Sequence, residues 1–280
     1  MYTVTCGEIH AAALSLSHTL LTWGGGKYGQ LGLGDNVKQI STPQTVQLPI
    51  SLSILQVSCV EHNTYALTKC GHIFSCGAND HRQTGTGDTE MVHTIRFVNV
   101  HGENRTRFVM IAAGSNFCLA IAADTRCGKR YGWGSNMHGQ LGYNLREYRN
   151  TPIQIQQTEM QNATWIVCGS SHRVVGIESG NLFGFGKNSN GKLGLGLVEQ
   201  SMTPVRIQTL CNVRTASCGF GHTVVVCNDG GVWSSGQGSK FALGHGPMVM
   251  TSSNSCSNRL MPICSVVVQY GLSLNSSRHL

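Results

Sequence analysis

A glycine recurs along this 280-residue chain at nearly even steps of 53, 57, 52 and 50 residues. These landmark glycines are Gly24, Gly77, Gly134, Gly186 and Gly236. A second glycine follows each landmark eight residues later, and this second set is Gly32, Gly85, Gly142, Gly194 and Gly244. Self-similarity at a fixed period is typical of proteins that stack one structural unit many times. We therefore interpret the chain as five tandem copies of a unit of about 50 residues.

Each unit contains the pattern of four short strands, which is clearest in the fourth copy. Apolar runs cover residues 165–168, 173–177 and 181–185, and a glycine-rich loop separates the third run from a further run at residues 203–207. Pro204 lies in that last run, and proline suits an edge strand because it has no N–H to donate. Four strands in about 50 residues are typical of a propeller blade. The predicted fold class is all-β, a β-propeller of four-stranded blades with five clear repeats.

The repeats predict how the chain divides. Residues 1–246 form the repeat propeller, with blades around 4–48, 54–100, 108–157, 165–208 and 213–246. Residues 247–280 are a divergent C-terminal segment, which we expect to hold the outer strand of the fifth blade near Pro262 and a remnant of a sixth. The sequence leaves open whether the ring closes with five or six blades, stays open, or is part of a larger propeller.

Composition favours an ordered, turn-rich protein of the cytoplasm or nucleus. The chain has 35 Gly and only 12% charged residues, whereas disordered chains carry more charge. Its 12 cysteines include no Cys-x-x-Cys pair, so neither a zinc site nor a disulfide framework is predicted. We find no secretory signal and no run of 18 apolar residues, and therefore expect neither secretion nor a membrane span. The net charge of +7 is scattered, which favours a solvated surface over a nucleic-acid site.

Two motifs identify a family among the propellers. Trp-Gly-x-x-x-x-Gly-Gln-Leu-Gly begins at Trp23 and Trp133, and Gly-x-x-His begins at Gly7, Gly169 and Gly219. These stretches resemble the repeats of the regulator of chromosome condensation family, and the resemblance covers residues 4 to about 246. Several positions depart from the pattern, namely Val60 and Arg82 in the second copy, Phe117 in the third and Phe241 in the fifth.

Three functions are open, two of which the resemblance implies, and the sequence does not separate them. Our leading hypothesis is a non-catalytic interaction module that binds a protein partner through loops on one face. The first alternative is guanine nucleotide exchange on a Ran-like small GTPase, in which binding favours the nucleotide-free form and no substrate bond is broken. The second alternative is a chromatin-associated regulator. Fold alone does not decide among them.

Three histidines recur at one slot of the repeat, three residues after a turn glycine. They are His10, His172 and His222. One interpretation is that each ring ties a strand-connecting turn by hydrogen bonds. The other is that the imidazoles form a ring at one end of the propeller that a partner can contact. We do not expect a metal site, because one histidine per blade places the rings far apart.

Basic residues in two loops are the other candidates for partner binding. An insertion in the third copy carries Arg126, Lys129 and Arg130, and a connection between blades carries Arg105 and Arg107. Loops are where propellers usually carry function.

Covalent catalysis and cofactor binding are not predicted. The 13 Asp and Glu residues fall mostly in turns, and no Gly-x-Ser-x-Gly elbow marks a nucleophile. Residues 24–29 match Gly-x-Gly-x-x-Gly, but no helix pattern follows to hold a pyrophosphate, so a repeat turn explains them better. We expect no catalytic residue, no metal and no cofactor.

Overall fold

The computed structural model describes residues 3–49, 52–100, 106–123, 129–156, 160, 162–210, 212–238, 241–245 and 256–263. Sheet 1 contains β1 (Thr3–Cys6), β2 (His10–Leu14), β3 (Leu20–Gly25) and β4 (Gln39–Thr45). Sheet 2 contains β5 (Ile54–Val60), β6 (Asn63–Thr68), β7 (Ile73–Gly77) and β8 (Val92–Phe97). Sheet 3 contains β9 (Phe108–Gly114), β10 (Phe117–Ala122), β11 (Arg130–Ser135) and β12 (Tyr148–Ile155). Sheet 4 contains β13 (Ala163–Cys168), β14 (His172–Ile177), β15 (Leu182–Lys187) and β16 (Gln200–Arg206). Sheet 5 contains β17 (Val213–Cys218), β18 (His222–Cys227), β19 (Val232–Gln237) and β20 (Cys256–Pro262).

Each sheet is an antiparallel meander in which strands that are consecutive in sequence are neighbours in space. This arrangement confirms the prediction of an all-β fold with five four-stranded repeats. Among the elements whose residues are all described, the one helical element is a 3-10 turn at Ser189–Gly191. In sheet 5 the outer strand β20 pairs with β19, and Pro262 lies opposite Trp233. The predicted remnant of a sixth blade falls after β20, at residues 264–280, which lie outside the described residues.

The meander gives the molecule two different ends. The tight turns between first and second strands and the long glycine-rich loops between third and fourth strands share one end, which we call the glycine-loop end. The turns between second and third strands and the connections from sheet to sheet share the other, which we call the connection end. Backbone hydrogen bonds join neighbouring sheets at both, from Glu8 N to Glu61 O (3.0 Å) at the glycine-loop end and from Phe108 N to Gly71 O (2.9 Å) at the connection end.

Apolar side chains fill the space between consecutive sheets. Leu14, Ile54 and Phe74 belong to a buried cluster that joins sheets 1 and 2, and three similar clusters join the remaining neighbours in turn. A four-stranded sheet cannot bury both of its faces alone, so this stacking supplies most of the core. Among the described residues no cluster joins sheet 5 to sheet 1, and these two sheets keep one half-exposed face each. Trp23 in sheet 1 is half-buried, while Trp133 at the same slot of sheet 3 is fully buried.

The landmark glycines are required by backbone crowding within each sheet. All five have φ between +90° and +122°, a region that side chains rarely adopt. A Cβ on Gly186 would lie 2.6 Å from the carbonyl oxygen of Ser171, and the same oxygen accepts a hydrogen bond from Lys187 N at 2.9 Å. The turn between the first two strands therefore presses against the end of the third strand, and only glycine fits there.

The second set of glycines serves the contact between sheets. A Cβ on Gly85 would lie 2.6 Å from the Trp133 ring of the next sheet, and one on Gly142 would lie 2.4 Å from the Phe185 ring. Trp133 and Phe185 each directly precede a landmark glycine. The eight-residue spacing thus links two kinds of glycine. The landmark glycine allows the strands of one sheet to pack closely, and the second glycine leaves room for a side chain of the next sheet.

Candidate interaction surfaces

The recurring histidines hold adjacent sheets together. His10 is 4% exposed, and its Nε2 lies 2.9 Å from Oγ1 of Thr64 in sheet 2. Because the Thr64 hydroxyl donates its only hydrogen to Gln30 O (2.7 Å), it must accept from His10, so the proton of the neutral imidazole is on Nε2. His172 is fully buried and makes the same 2.9 Å contact with Thr223 in sheet 5. A partner could reach neither ring without separating two sheets.

The Gly-x-x-His spacing is explained by space for the ring. A Cβ on Gly7 would lie 2.2 Å from Cε1 of His10. Phe117 occupies the histidine slot of sheet 3 and is likewise preceded by a glycine three residues earlier. Sheet 2 has Val60 in place of that glycine, and its slot holds the smaller Asn63. The motif therefore describes packing, and the structural interpretation applies to His10. His222 at the open face of sheet 5 is half-buried.

A buried arginine replaces the histidine–threonine hydrogen bond between sheets 3 and 4. Arg173 is fully buried, with its guanidinium carbon 3.6 Å from the centroid of the Phe185 ring and 5.7 Å from that of Phe117. No described residue accepts a hydrogen bond from its side-chain nitrogens. Burial lowers the pKa of Arg173 well below its ordinary value. This buried arginine was not predicted from the sequence, and Phe117 in the histidine slot was the signal that could have revealed it.

The buried histidines predict that the fold weakens in mild acid. Burial lowers the pKa of His172 to about 3 and, with His62 as a smaller cause, that of His10 to about 4. Between about pH 6.5 and these values the unfolded chain binds protons that the folded chain does not, so stability falls as pH falls. We expect the free energy of unfolding to drop by roughly 1–2 kcal/mol per histidine from about pH 7 to about pH 5.

Urea unfolding at the two pH values tests this expectation. His172→Asn should reduce the pH dependence, since asparagine already occupies this slot as Asn63 in sheet 2. His222→Asn, at the half-buried copy of the slot, is the matched control. Equal pH dependence in all three proteins would contradict the assignment.

Large apolar side chains are exposed on the loops of the glycine-loop end of sheets 3 to 5. This apolar loop surface consists of Leu145 (59% exposed), Leu197 (89%), Val198 (51%), Phe220 (77%) and Phe241 (62%). Single exposed apolar residues are ordinary, but several gathered at one end are typical of an interaction site. This surface was not predicted from the sequence.

Phe241 also has a strained backbone. Its φ is +61°, and at the corresponding loop position Gly29 and Gly139 have φ of +81° and +80°. A positive φ at a bulky residue costs about 1–3 kcal/mol of folding free energy. Such residues tend to occur where function requires them. An exposed phenylalanine in place of a loop glycine is therefore a further indication of binding at this end.

A surface cavity of about 480 Å3 adjoins the apolar loop surface. Its walls are His138 from sheet 3 and residues 187–191 and 196–200 from sheet 4, which include Leu197 and Val198. The Asn188 side chain donates to the carbonyl oxygens of Gly196 (3.3 Å) and Val198 (2.5 Å). These bonds hold the loop in shape, so the exposed side chains are presented on a fixed backbone.

The predicted basic residues that the structure describes lie toward the connection end. Arg107 is exposed, and its carbonyl oxygen accepts a hydrogen bond from Ala123 N at 2.6 Å. This bond places the third-sheet hairpin, which carries half-buried Lys129, beside the connection that carries Arg107. Arg105 and Arg126 lie outside the described residues.

Arg130 differs from the other basic candidates. It is 6% exposed and its Nη1 donates to the carbonyl oxygen of Met160. Its charge is held inside the structure, so of the three basic residues in the insertion this one is structural.

The described acidic residues lie mostly at one end, and Glu103, Asp124 and Glu159 lie outside the described residues. Of the ten described acidic residues, eight lie in turns and loops of the glycine-loop end, namely Glu8, Asp35, Glu61, Asp80, Asp88, Glu90, Glu147 and Glu199. The other two, Glu178 and Asp229, lie in turns of sheets 4 and 5 at the connection end. At that end the turns of sheets 2 and 3 carry Lys69, Arg107 and Lys129, with no carboxylate among their described residues.

Two further kinds of site are absent from the described part of the chain. No group of three or more His, Cys, Asp or Glu side chains there could hold a metal ion. No helix there is long and apolar enough to cross a membrane.

Known proteins match both the sequence and the fold. The profile of the regulator of chromosome condensation (RCC1) repeat matches residues 17–67, 70–121, 128–175 and 179–226. The probable E3 ubiquitin-protein ligase HERC6 of Homo sapiens is 32% identical over 249 residues, which are 87% of this chain and 23% of HERC6. The ultraviolet-B receptor UVR8 of Arabidopsis thaliana is 31% identical over 193 residues, which are 69% of this chain and 42% of UVR8.

Solved structures agree with the fold. Human WBSCR16 has a TM-score of 0.81 at 22% identity, covering 94% of this chain and 66% of that one. Prp20p from Saccharomyces cerevisiae, described with its binding properties to Gsp1p and histones, has a TM-score of 0.77 at 19% identity, covering 93% of this chain and 64% of that one. The chain thus spans less than half of the curated relatives named above and about two thirds of these two structures. With four repeat matches over most of its length, the chain belongs to the regulator of chromosome condensation (RCC1) repeat family.

Proposed function

We propose that this chain is a non-catalytic interaction module that binds a protein partner through the glycine-loop end. The observation that carries the proposal is the apolar loop surface, where five large side chains are between 51% and 89% exposed. Such side chains gain about 25 cal/mol for each Å2 of apolar surface that a partner covers. The cysteine pattern of the sequence fits a partner in the cytoplasm or nucleus.

Phe220 is well suited to anchor a partner. Its carbonyl oxygen accepts hydrogen bonds from Ser170 Oγ (2.8 Å) and from Lys192 Nζ (3.5 Å), which tie its turn to sheet 4. Burial lowers the pKa of Lys192 to about 8, with Lys187 as a smaller cause. The bonds fix the backbone of the turn, so Phe220 is presented from a fixed position, and aromatic residues tend to dominate the energy of protein binding.

A paired-variant pull-down tests the proposal. Tagged chain captures proteins from a cell extract, and quantitative mass spectrometry compares wild type with the double variant Leu197→Asp, Phe220→Asp. Both sites are exposed, so circular dichroism should show an unchanged fold, while the bound proteins should fall about tenfold or more.

Leu16→Asp is the matched control, because Leu16 is 76% exposed but lies in a turn at the connection end. Partners that survive the double variant and disappear with Leu16→Asp would move the binding site to the other end. A captured set that neither variant changes would overturn the proposal.

Guanine nucleotide exchange on a Ran-like GTPase is the second candidate. Its support is the fold shared with Prp20p, a protein with binding properties to Gsp1p and histones. Release of a fluorescent guanine nucleotide from Ran, compared with other small GTPases, separates exchange from binding alone. Acceleration of Ran alone would establish exchange, whereas binding without acceleration leaves the interaction module. Histone capture in the same pull-down would indicate the chromatin-associated alternative.

A further inference from the structure

A second cavity, separate from the apolar loop surface, lies at the connection end between sheets 2 and 3. Its volume is about 300 Å3, and its walls include Ile73, Val98, Val100 and Phe108. These four side chains are between 0% and 7% exposed, whereas Phe97 at the cavity lip is 47% exposed. Ligand pockets usually span about 300–1,000 Å3, so this cavity suits one large apolar side chain better than a cofactor.

Arg107 lies beside this cavity with its guanidinium held in place. One nitrogen, Nη1, donates to the carbonyl oxygen of Cys70 and to Nε2 of His72, both at 2.8 Å. No described residue accepts from Nε or Nη2, so these hydrogens face outward on an exposed side chain. An oriented guanidinium with two free donors matches the two oxygens of a carboxylate.

His72 orients the arginine without adding charge. Because arginine only donates, Nε2 of His72 must accept, and the ring proton is on Nδ1, 3.4 Å from Cys70 Sγ. Burial, followed by the charge of Arg107, lowers the pKa of His72 below its ordinary value. The ring also packs edge-on against Phe97, with centroids 5.5 Å apart. The site therefore combines one fixed cation, a neutral imidazole and an apolar cavity.

We propose that this site, the Arg107 cavity, binds a short acidic peptide segment of a partner protein. One apolar side chain of the peptide enters the cavity, and the carboxylate of a neighbouring Glu or Asp receives Nε and Nη2 of Arg107. Lys69, in the turn between the second and third strands of sheet 2, adds positive charge to the same end, which attracts an acidic segment. A phosphate backbone fits less well, because it needs many cations and no apolar cavity. The site is at the opposite end from the apolar loop surface, so neither proposal depends on the other.

Fluorescence anisotropy with labelled synthetic peptides tests the Arg107 cavity. The probes carry Leu, Met or Phe beside a pair of Glu residues in a Gly-Ser background, and matched peptides replace either Glu by Gln or the apolar residue by Ser. We expect the full chain to bind an acidic, apolar probe, and either replacement to weaken binding about tenfold to hundredfold.

Two variants and one control separate the parts of the site. Arg107→Gln should weaken peptide binding as much as removing the peptide carboxylates does. Phe97→Ala should weaken peptide binding because the apolar side chain of the peptide loses its contact with the Phe97 ring. Arg206→Gln is the control, because Arg206 is an exposed arginine at the same end that bonds to Asn181 Oδ1 (2.7 Å), away from the cavity. The Arg206→Gln variant should bind the peptide probe with the affinity of the wild-type chain.

Three results would overturn the proposal. One is that no probe binds the folded chain, and another is that Arg107→Gln binds as tightly as wild type. The third is that polyuridine or phosphatidylserine vesicles bind in an Arg107-dependent way while the peptides do not. Leu197 and Phe220 are not changed in these variants. Each of these results therefore leaves the proposed function unaffected, and the pull-down tests that function separately.

Discussion

Gly186→Ala is expected to cost about 4 kcal/mol or more of folding free energy. Gly186 has φ of +102°, and an added Cβ would lie 2.6 Å from Ser171 O and 3.0 Å from His172 Cα. Both atoms are backbone, so no side-chain rotation can relieve the clash. The turn that would have to move also holds His172 against Thr223 in the next sheet. Urea unfolding followed by circular dichroism measures the loss.

Gly34→Ala separates backbone strain from the clash. Gly34 has φ of +104°, almost the same as Gly186, but nothing lies within 4 Å of its added Cβ. This variant should lose only about 1–3 kcal/mol, the usual strain of a side chain in this region. Equal losses in the two variants would show that φ alone, and not the contact with Ser171, selects glycine at the landmark.

Trp133→Ala is expected to lower the free energy of unfolding by about 3–5 kcal/mol. Trp133 is fully buried between sheets 2 and 3, and its ring lies against Gly85, where even a methyl group would not fit. Removing the indole leaves a cavity that the backbone on both sides prevents from closing. Thermal and urea unfolding should report the loss.

Trp23→Ala is the matched control, because Trp23 precedes the landmark glycine of sheet 1 as Trp133 does in sheet 3. Trp23 is half-buried, so we expect a clearly smaller loss. If Trp23→Ala lowers the free energy of unfolding as much as Trp133→Ala does, the face of sheet 1 must be covered in solution. The description of sheets 1 and 5 as having one half-exposed face each would then be wrong.

The candidate sites were less accessible to sequence reasoning than the fold was. His10 and His172 share their slot with His222, but two are buried between sheets while His222 lies at a half-exposed face. Arg107 and Arg130 both looked like loop cations, and one is exposed while the other is held inside. Burial depends on what the neighbouring sheet supplies some 50 residues away, and residue type alone does not report it.

The apolar loop surface was missed for a related reason. Phe241 was interpreted only as a departure from the repeat and Phe220 was not singled out, because a repeat pattern compares equivalent positions and ignores exposure. Phe241 did carry a signal, since it stands where three of the other four copies have a glycine with positive φ and the second has Arg82.

The sequence alone determined the number of repeats, the four strands in each and the places where only glycine can stand. These features follow from steric limits that act within one repeat, so their spacing is visible in the chain. Only the tertiary structure decided which side chains meet across sheets: the histidine–threonine bonds, the approach of Arg173 to the Phe117 ring, and the cavity beside Arg107. Those contacts join residues from separate repeats, and their distances arise only when the sheets pack.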